Sequence, residues 1–371
     1  MNPPFALLPI TEPTLLLDEL KCKKNIERMV QKAAKHNLIF RPHFKTHQSK
    51  HIAGWFRKKG VNKITVSSLK MARYFAKDGW DDITVAFPVN MLEIDTIRQL
   101  AGKIKLNLLV ESLESVTFLS KNLTSTVSIF IKIDIGYHRT GILPENTPLI
   151  DNILEEIKNS STLKFAGFLG HAGHSYQAKN KQEIQNIHTT SIGMLQKLKE
   201  RYKSIFPHLI LSTGDTPTCS VMDEFTGTDE IRPGNFIFYD LTQWAIGACN
   251  FDDIAVVMAC PIVAKHQSRN ELIIYGGGVH FSKDHLVLKN GTKTIFGKVV
   301  SLTNSGWQGL NNDENYLSKL SQEHGTVTVE RHIFDKYKVG DVIGIMPVHS
   351  CLTANLTKSY LTLDGKLIER L

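Results

Sequence analysis

Two short segments of the sequence combine residue types that could do chemistry. The first, residues 41–47, reads Arg-Pro-His-Phe-Lys-Thr-His and follows the apolar run 38–40, which predicts a short buried strand. A lysine at the end of a buried strand is costly unless it has a partner or a chemical role. Desolvation lowers the pKa of an ammonium group, as a Schiff-base lysine requires. Lys45 is therefore a candidate nucleophile, and the alternative is a lysine whose side chain extends to solvent.

The second segment, residues 347–355, reads Pro-Val-His-Ser-Cys-Leu-Thr-Ala-Asn. His349 and Cys351 alternate, so both side chains face the same side if the segment is strand-like. An imidazole and a thiolate suit zinc, and two protein ligands with open water positions indicate a catalytic rather than a structural ion. The alternative is a buried cysteine beside an unrelated histidine.

Two glycine-containing turns near the late predicted strands could hold a phosphate group. They are residues 213–217, Thr-Gly-Asp-Thr-Pro, and residues 232–235, Arg-Pro-Gly-Asn. Small residues leave backbone N–H groups accessible, and barrel enzymes bind phosphate near their last strands in this way. The alternative for each turn alone is an ordinary chain reversal.

Two more polar segments follow predicted strands in the middle of the chain. Residues 134–141 read Asp-Ile-Gly-Tyr-His-Arg-Thr-Gly, and residues 170–176 read Gly-His-Ala-Gly-His-Ser-Tyr. The histidines of the second segment, His171 and His174, could be metal ligands, an acid–base pair or packed core residues. Arg139, in the first segment, could equally be a surface residue in a glycine loop.

The elements that must position these residues alternate between strands and helices. Apolar stripes predict helices at 18–36 and, the longest, at 181–202. Eight strands interleaved with helices over roughly 230 residues match a (β/α)8 TIM-type barrel, of fold class α/β. A doubly wound open sheet is the alternative, weakened because no Gly-x-Gly-x-x-Gly follows the first strand. The predicted strands are residues 38–40, 63–67, 82–87, 104–110, 127–135, 165–170, 209–212 and 236–239.

The pattern changes after about residue 250, where short β-branched runs predict a C-terminal all-β domain. A hairpin is predicted at 360–368 around the turn Asp364-Gly365. The predicted domains are a barrel at 14–249 and a β domain at 250–371, which residues 1–13 join. The other predicted strands of the β domain are residues 256–258, 272–275, 299–300, 327–329 and 342–345.

Composition excludes several classes of protein. The 371 residues are 42% apolar and 22% charged, as in a globular protein, and the net charge of +8 lies on scattered lysines without interleaved aromatics. Nucleic acid is therefore not an expected partner, whereas an anionic cofactor or substrate is. The longest apolar run, 254–264, is too short to cross a bilayer, and the first residues lack a signal peptide's basic start. Five scattered cysteines indicate a reducing compartment, and we expect a cytoplasmic location.

Taken together, the motifs resemble fold-type III pyridoxal phosphate (PLP) enzymes of the D-serine dehydratase and D-threonine aldolase group, which have an alanine-racemase-like barrel. Arg-Pro-His-x-Lys-Thr-His and the His-x-Cys pair are the specific matches, and the others follow in the same order along nearly the whole chain. The resemblance implies that Lys45 binds PLP and acts as the base at the α-carbon of a D-amino acid.

The resemblance also implies roles for the other candidate residues. Zinc, or another divalent metal, would bind His349 and Cys351 and polarise the substrate hydroxyl. His174 would assist proton transfer at that hydroxyl, and residues 323–325, Glu-His-Gly, would lie near the metal. The residues implied to bind the cofactor are Lys45, His43, Arg139, which faces the ring oxygen, His171 and Tyr176 near the ring, and Thr213, Gly214, Gly234 and Asn235 at the phosphate.

Two departures from the family's pattern bear on the substrate. An Asp-x-Gly segment is expected where residues 275–280 read Tyr-Gly-Gly-Gly-Val-His, and residues 70–72 lack a usual acidic residue. The expected function is a metal-assisted PLP-dependent lyase acting on a D-amino acid with a β-hydroxyl, as dehydratase or aldolase. The alternatives are a PLP-dependent racemase and a non-catalytic PLP-binding protein. The resemblance further implies a homodimer.

Overall fold

The computed structural model describes residues 10–288, 292–303, 305–310 and 313–371. The chain divides into two compact units, here called the barrel unit, Glu27–Gly234, and the β unit, which combines Met1–Ile26 with Asn235–Leu371. The first strand, β1 (Thr14–Leu17), lies in the sheet of the β unit, whereas the sequence predicted that the barrel domain begins at residue 14. Of the residues predicted to precede the barrel, 1–9 lie outside the described residues.

The barrel unit is built on eight parallel strands that follow one another in chain order around the sheet. The first strand along the chain pairs with the last, and a parallel bridge between His43, just after the first strand, and Thr65 of the second strand completes the ring. Backbone N–H groups of Phe44 and Thr65 donate to Thr65 O (2.8 Å) and Pro42 O (2.9 Å) across this bridge. The strands are β2 (Ile39–Phe40), β3 (Ile64–Val66), β4 (Asp82–Pro88), β5 (Lys105–Val110), β6 (Val127–Lys132), β7 (Leu163–Leu169), β8 (Ile210–Thr213) and β9 (Glu230–Ile231).

Helices connect these strands, and several begin at a polar side chain that accepts a backbone hydrogen bond. Ser68, Ser112, Asn146 and Asn180 each cap a helix in this way. The longest predicted helix, 181–202, is confirmed at its full length. The helices are α1 (Glu19–Lys35), α2 (Lys50–Arg57), α3 (Leu69–Ala76), α4 (Ile94–Ala101), α5 (Leu113–Asn122), α6 (Thr147–Asn159), α7 (Lys181–Tyr202) and α8 (Thr216–Val221).

The eighth predicted strand, 236–239, is wrong. The eighth barrel strand is β9, and Asn235–Ile237 forms a short helical turn in the β unit. A short apolar run does not distinguish a strand from a buried helical turn, and the charged Glu230 hid the true strand. The consequence is functional, because residues 232–235 follow the eighth strand instead of preceding it.

The β unit contains a closed antiparallel ring of six strands, in the order β10, β11, β17, β16, β14, β18 and back to β10. The predicted hairpin is confirmed, since β19 pairs antiparallel with β20 and Gly365 has a positive φ of 84°. The strands are β10 (Val256–His266), β11 (Glu271–Tyr275), β12 (Leu286–Val287), β13 (Thr294–Ile295), β14 (Gly297–Thr303), β15 (Gly306–Gly309), β16 (Tyr316–Leu320), β17 (His324–Thr328), β18 (Val342–Pro347), β19 (Ser359–Thr362) and β20 (Leu367–Glu369).

Short helices interrupt the β unit, but the predicted fold class, a barrel of alternating strands and helices followed by a β domain, is confirmed. The helices of the β unit are α9 (Leu241–Ala245), α10 (Gly278–Phe281), α11 (Arg331–Lys336) and α12 (Ser350–Leu356). Within the described part of the chain, no helix has the length and apolar content needed to cross a bilayer.

A buried arginine links three strands of the barrel unit. The Arg41 guanidinium donates from Nε to Glu230 Oε2 (2.6 Å) and from Nη1 to Asp82 Oδ1 (2.6 Å). Asn107 and Ser212 donate to the same two carboxylates, at 3.0 Å and 2.6 Å. Burial raises the pKa of Asp82, but the Arg41 charge outweighs it and lowers this pKa to about 2. The network therefore ties β2, β4 and β9 together through fully paired charges.

We predict that Arg41→Ala destabilises the protein by about 3–5 kcal/mol, because it leaves the buried Glu230 carboxylate without a cation. Asp82 loses its closest cation but keeps the longer ion pairs with Lys63 and Lys105. Arg98→Ala removes an exposed ion pair with Asp95 and should cost at most about 1 kcal/mol. Urea unfolding of both variants measures the difference. Equal losses in the two variants would contradict this account of the Arg41 network.

Acid unfolding provides a second test of the same network. Because the pKa of Asp82 is lower in the folded protein than the usual 3.8, its ionised form stabilises the fold above about pH 4. This contribution should disappear as the pH falls from about 4 to about 2. In Asp82→Asn the folding stability should therefore fall less steeply with pH over this range than in the unchanged protein, and an unaltered slope would contradict the assignment.

Candidate functional site

Lys45 lies in a turn that follows β2, and its side chain is exposed. The expectation of a desolvated lysine at a strand end is wrong, because β2 ends at Phe40 and the chain turns before it reaches Lys45. Directly before it, the fully buried Phe44 ring packs against the rings of Phe56 (5.0 Å between centroids) and Trp80 (5.1 Å). This aromatic packing anchors the turn and leaves the amine directed away from the core.

Two predicted histidines, His43 and His171, lie near the Lys45 amine. The backbone N–H of Lys45 donates to His43 Nδ1 at 3.4 Å, and His171 Nδ1 lies 3.3 Å from Gly214 O. Burial lowers the pKa of both imidazoles well below the usual value, and the Lys45 charge lowers it further. Both rings are therefore neutral at pH 7, and either could stack on or hydrogen-bond to a planar group.

The two predicted phosphate turns lie side by side at the ends of β8 and β9. Arg232 N–H donates to Thr213 O at 2.9 Å. Gly214 has a φ of 129°, and a Cβ there would lie 2.6 Å from Arg232 N. A Cβ on Gly234 would lie 2.9 Å from His43 O. Only glycine fits these close backbone approaches, and such small residues leave room for a phosphate, so the residues present fit PLP.

The loop that carries Arg139 is shaped by one carboxylate. Asp134 Oδ1 accepts N–H bonds from Gly136, Tyr137 and His138 at 3.0, 3.1 and 3.0 Å. Burial raises the pKa of Asp134, but these hydrogen bonds outweigh burial and hold the pKa below its usual value. The Arg139 side chain is exposed and its guanidinium lies 4.9 Å from the centre of the Tyr137 ring. The predicted arginine is thus held over an aromatic ring by a loop that Asp134 fixes.

Tyr137, which sequence analysis missed, contacts three of the predicted residues. Besides Arg139, its ring lies edge-on to His171 (5.9 Å between centroids) and stacks at 26° on His174 (6.2 Å). A Cβ added to Gly173 would collide with the Tyr137 ring. The position of Tyr137 in the glycine-rich segment 134–141 was the only signal in the sequence, and the neighbouring residues did not indicate which side chains its ring would contact.

His174 and Tyr176 differ in their hydrogen bonding. His174 Nδ1 is buried and has no hydrogen-bond partner among the described residues. Burial lowers the pKa of His174, and the negative charge of Asp134 raises it by a smaller amount. The Tyr176 hydroxyl accepts the N–H of Thr216 at 3.3 Å, at the start of α8. The role of His174 in proton transfer stays a prediction.

Two buried cations, Lys132 and Arg232, were also missed by sequence analysis. Burial and the Arg232 charge lower the pKa of Lys132 to about 8. Burial lowers the pKa of Arg232 to about 10, and its guanidinium donates to Ser212 Oγ (2.7 Å) and Gly170 O (2.6 Å). Lys45, Lys132 and Arg232 are cationic side chains of the barrel unit, and such groups attract an anionic cofactor.

In the β unit, His349 and Cys351 lie at a junction between a strand and a helix. The expected strand-like segment is wrong, because His349 is the extended residue that precedes α12 and Cys351 lies in the first turn of that helix. The two side chains nevertheless meet, since a hydrogen bond joins the imidazole and the thiol. Burial lowers the pKa of His349, but hydrogen bonds with Asp284 and Cys351 raise it to about 11.

The predicted phosphate ligand Asn235 has its side chain beside Cys351. Its Nδ2 donates to Asp240 Oδ2 (2.6 Å), Ser350 Oγ (3.0 Å) and Cys351 Sγ (3.4 Å). The side chain therefore supports the His–Cys pair, while its role at a phosphate stays a prediction.

The donor set of this pair fits a borderline-soft cation such as zinc, with water or substrate as further ligands. Within the ranges that the structure describes, no group of three or more His, Cys, Asp or Glu side chains could hold a metal ion. Of the segment predicted near the metal, Glu323 lies 3.9 Å from His280 Nε2, and His324 is exposed in β17.

Two family models match successive parts of this chain. Residues 17–241 match the family model of the alanine racemase N-terminal domain, and residues 255–363 match a serine dehydratase domain. A D-serine dehydratase of Dictyostelium discoideum is 31% identical over 96% of this chain and 94% of the relative. A D-threonine aldolase of Arthrobacter sp. is 20% identical over 99% of this chain and 93% of the relative.

A D-threo-3-hydroxyaspartate dehydratase of Delftia sp. is 26% identical over 98% of this chain and 97% of the relative. Its solved structure superposes with a TM-score of 0.88 at 26% identity, covering 100% of this chain and 99% of that one. A solved mutant of a D-threo-3-hydroxyaspartate dehydratase, described as metal-free, is 25% identical and gives a TM-score of 0.90 over 100% of this chain and 99% of that one.

The role of Tyr137 can be tested through the glycine beneath its ring. We predict that Gly173→Ala costs about 1–3 kcal/mol of stability and weakens PLP binding, because the new methyl group displaces the ring from His171 and His174. Urea unfolding and absorbance titration with PLP measure the two effects. Gly193→Ala is the matched control, since its methyl group meets no atom within 4 Å and lies in helix α7. PLP affinity equal in the two variants would contradict the role of Tyr137.

Proposed function

We propose that this chain, which belongs to the family with an alanine racemase N-terminal domain followed by a serine dehydratase domain, dehydrates a D-amino acid that carries a β-hydroxyl. The predicted family, fold-type III enzymes of the D-serine dehydratase group, is confirmed. The predicted enzyme class is also confirmed, because the relatives above are dehydratases and an aldolase. The chain is a lyase acting on D-amino acids.

The observation that carries the proposal is the meeting of Lys45, two neutral histidines and two adjoining glycine turns in the barrel unit. PLP, when bound, supplies an electron sink for a negative charge at the α-carbon of an amino acid. Lys45 would hold its aldehyde, and Thr213, Gly214 and Gly234 would hold its phosphate. Arg139, His43, His171 and Tyr176 would contact its ring.

Once the amino group of the substrate has displaced it from the aldehyde, the free Lys45 amine would remove the proton from the α-carbon. Hydroxide leaves from the β-carbon, so that water is lost overall and an enamine forms. Hydrolysis of the enamine gives a 2-keto acid and ammonia. His174 would donate or accept the proton at the hydroxyl, as the family resemblance implies.

His349 and Cys351 are the residues that would hold zinc or another divalent cation. Such a cation supplies a Lewis acid that stabilises hydroxide as a leaving group. The related D-threo-3-hydroxyaspartate dehydratase mutant is described as a metal-free form, which supports the view that this relative binds a metal. Of the two lyase reactions, dehydration is favoured here because Cys351 stands where the resemblance places an aspartate in aldolases.

Several finer features belong to the same proposal. The barrel domain of residues 14–249 would carry the cofactor, and the β domain of residues 250–371 the metal. A homodimer in the cytoplasm is consistent with the family resemblance and with five cysteines, none of which forms a disulfide. Racemisation is the alternative reaction, and it would require a second base and no metal.

The test is an assay of purified protein with D-serine, D-threo-3-hydroxyaspartate, D-threonine and both alanine enantiomers. We expect the release of ammonia and a 2-keto acid. Treatment with a chelator should reduce this activity by about 100-fold or more, and added zinc should restore it. Lys45→Ala should lose the aldimine absorbance and the activity, whereas Lys50→Ala, a nearby lysine on α2, should keep both.

Each other outcome has a definite meaning. Glycine production would identify an aldolase, and racemisation of alanine that a chelator leaves unchanged would identify a racemase. A Lys45→Ala protein that stays yellow and active would overturn the assignment of the nucleophile. A colourless purified protein that does not bind added PLP would support a barrel without this cofactor.

A further inference from the structure

Asp284 is a charged residue that neither the motifs nor the proposed reaction uses. It follows the short helix α10 in the segment 282–285, Ser-Lys-Asp-His, and its side chain is exposed. Its Oδ2 lies 2.6 Å from His349 Nδ1. The Thr353 hydroxyl of α12 donates to Phe281 O at 3.2 Å and so ties the two segments together. The contact between Asp284 and His349 therefore belongs to a fixed part of the β unit.

The hydrogen bond has a defined direction. The 2.6 Å contact joins a carboxylate oxygen to a ring nitrogen, and a carboxylate accepts hydrogen bonds. The imidazole therefore carries a proton on Nδ1. In a neutral imidazole the other nitrogen, Nε2, then has the lone pair, and only that nitrogen can bind a metal ion.

We infer that Asp284 is a positioning residue for the metal: it holds the His349 ring and its Nδ1–H tautomer so that Nε2 is presented to a divalent cation shared with Cys351. The inference rests on the proposed function only in that His349 and Cys351 bind the metal. A carboxylate that accepts the N–H of a ligating histidine fixes the ring and makes its other nitrogen a stronger base.

The thiol half of the pair is held differently, which makes Asp284 the informative residue. Asn235 donates to Cys351 Sγ, and both Asn235 and Ser350 bond to Asp240. Asn235, Ser350 and Asp240 are buried, so replacing them would disturb folding as well as the metal ligands. Asp284 is exposed and can be replaced with little effect on packing.

Direct ligation by Asp284 is the competing role. Its Oδ2 is engaged with His349 Nδ1, and no three-residue metal cluster is found among the described ranges. Loss of a ligating oxygen would change the metal's coordination shell, whereas loss of a positioning residue changes affinity alone. The two roles therefore give different results in the same variant.

The experiment measures zinc affinity of the full-length PLP-loaded protein after removal of metal with a chelator. Competition with a chromogenic chelator gives the dissociation constant, and X-ray absorption at the zinc edge gives the ligands. The variants are Asp284→Ala and Asp284→Asn, with Asp335→Ala as a control, because Asp335 is an exposed acid in the same unit paired with Arg331. His349→Ala and Cys351→Ala report on the metal site itself.

We expect Asp284→Ala to weaken zinc binding by about 10–100-fold, with Asp284→Asn less affected and Asp335→Ala unchanged. The zinc-edge spectrum should keep its nitrogen and sulfur ligands, and saturating zinc should restore activity to Asp284→Ala. A restored activity separates positioning from a general structural defect, which excess metal would not repair.

Three other results would overturn the inference or the proposed metal site. Zinc affinity in Asp284→Ala equal to that of the control would end the inference and leave the proposed function intact. Loss of one oxygen ligand from the spectrum would make Asp284 a direct ligand and also overturn the positioning role. Unchanged zinc affinity in both His349→Ala and Cys351→Ala would remove the proposed metal site, and the inference with it.

Discussion

The parallel bridge between His43 and Thr65 is the contact on which the barrel unit depends. It closes the ring of eight strands, and it does so within the segment that carries Lys45. The paired charges of Arg41, Glu230 and Asp82 lie beside it and keep the short strands β2 and β9 in register. The contact that closes the barrel therefore also fixes the backbone of the segment that carries the Lys45 amine.

Glycines determine which side chains can meet once the barrel is closed. The close approach of Gly214 to Arg232 brings two turns together, and Gly173 makes room for the Tyr137 ring. Tyr137 in turn contacts Arg139, His171 and His174, which lie on two different loops. A Cβ at either glycine would collide with these neighbours, so close steric contacts set the positions of the loops.

The sequence predicted local features well and long-range partners poorly. The Lys45 segment and α7 were recognisable because a motif and a helical stripe are each contained in neighbouring residues. The eighth strand was missed because Glu230 looks exposed until its partner, Arg41, is known from the fold. Tyr137 and Asp284 were missed for the same reason, since each matters through a residue remote in sequence.

The two units provide donors of different chemical character. The barrel unit concentrates the cations Lys45, Lys132 and Arg232, which suit the phosphate and carboxylate of an anionic cofactor and substrate. The β unit instead offers an imidazole and a thiol, with the carboxylates of Asp284 and Asp240 among their hydrogen-bonding surroundings. Negative charge there would oppose an anion and favour a divalent cation. Under the proposed reaction, this difference in charge would place proton removal in the barrel unit and activation of the leaving hydroxyl in the β unit.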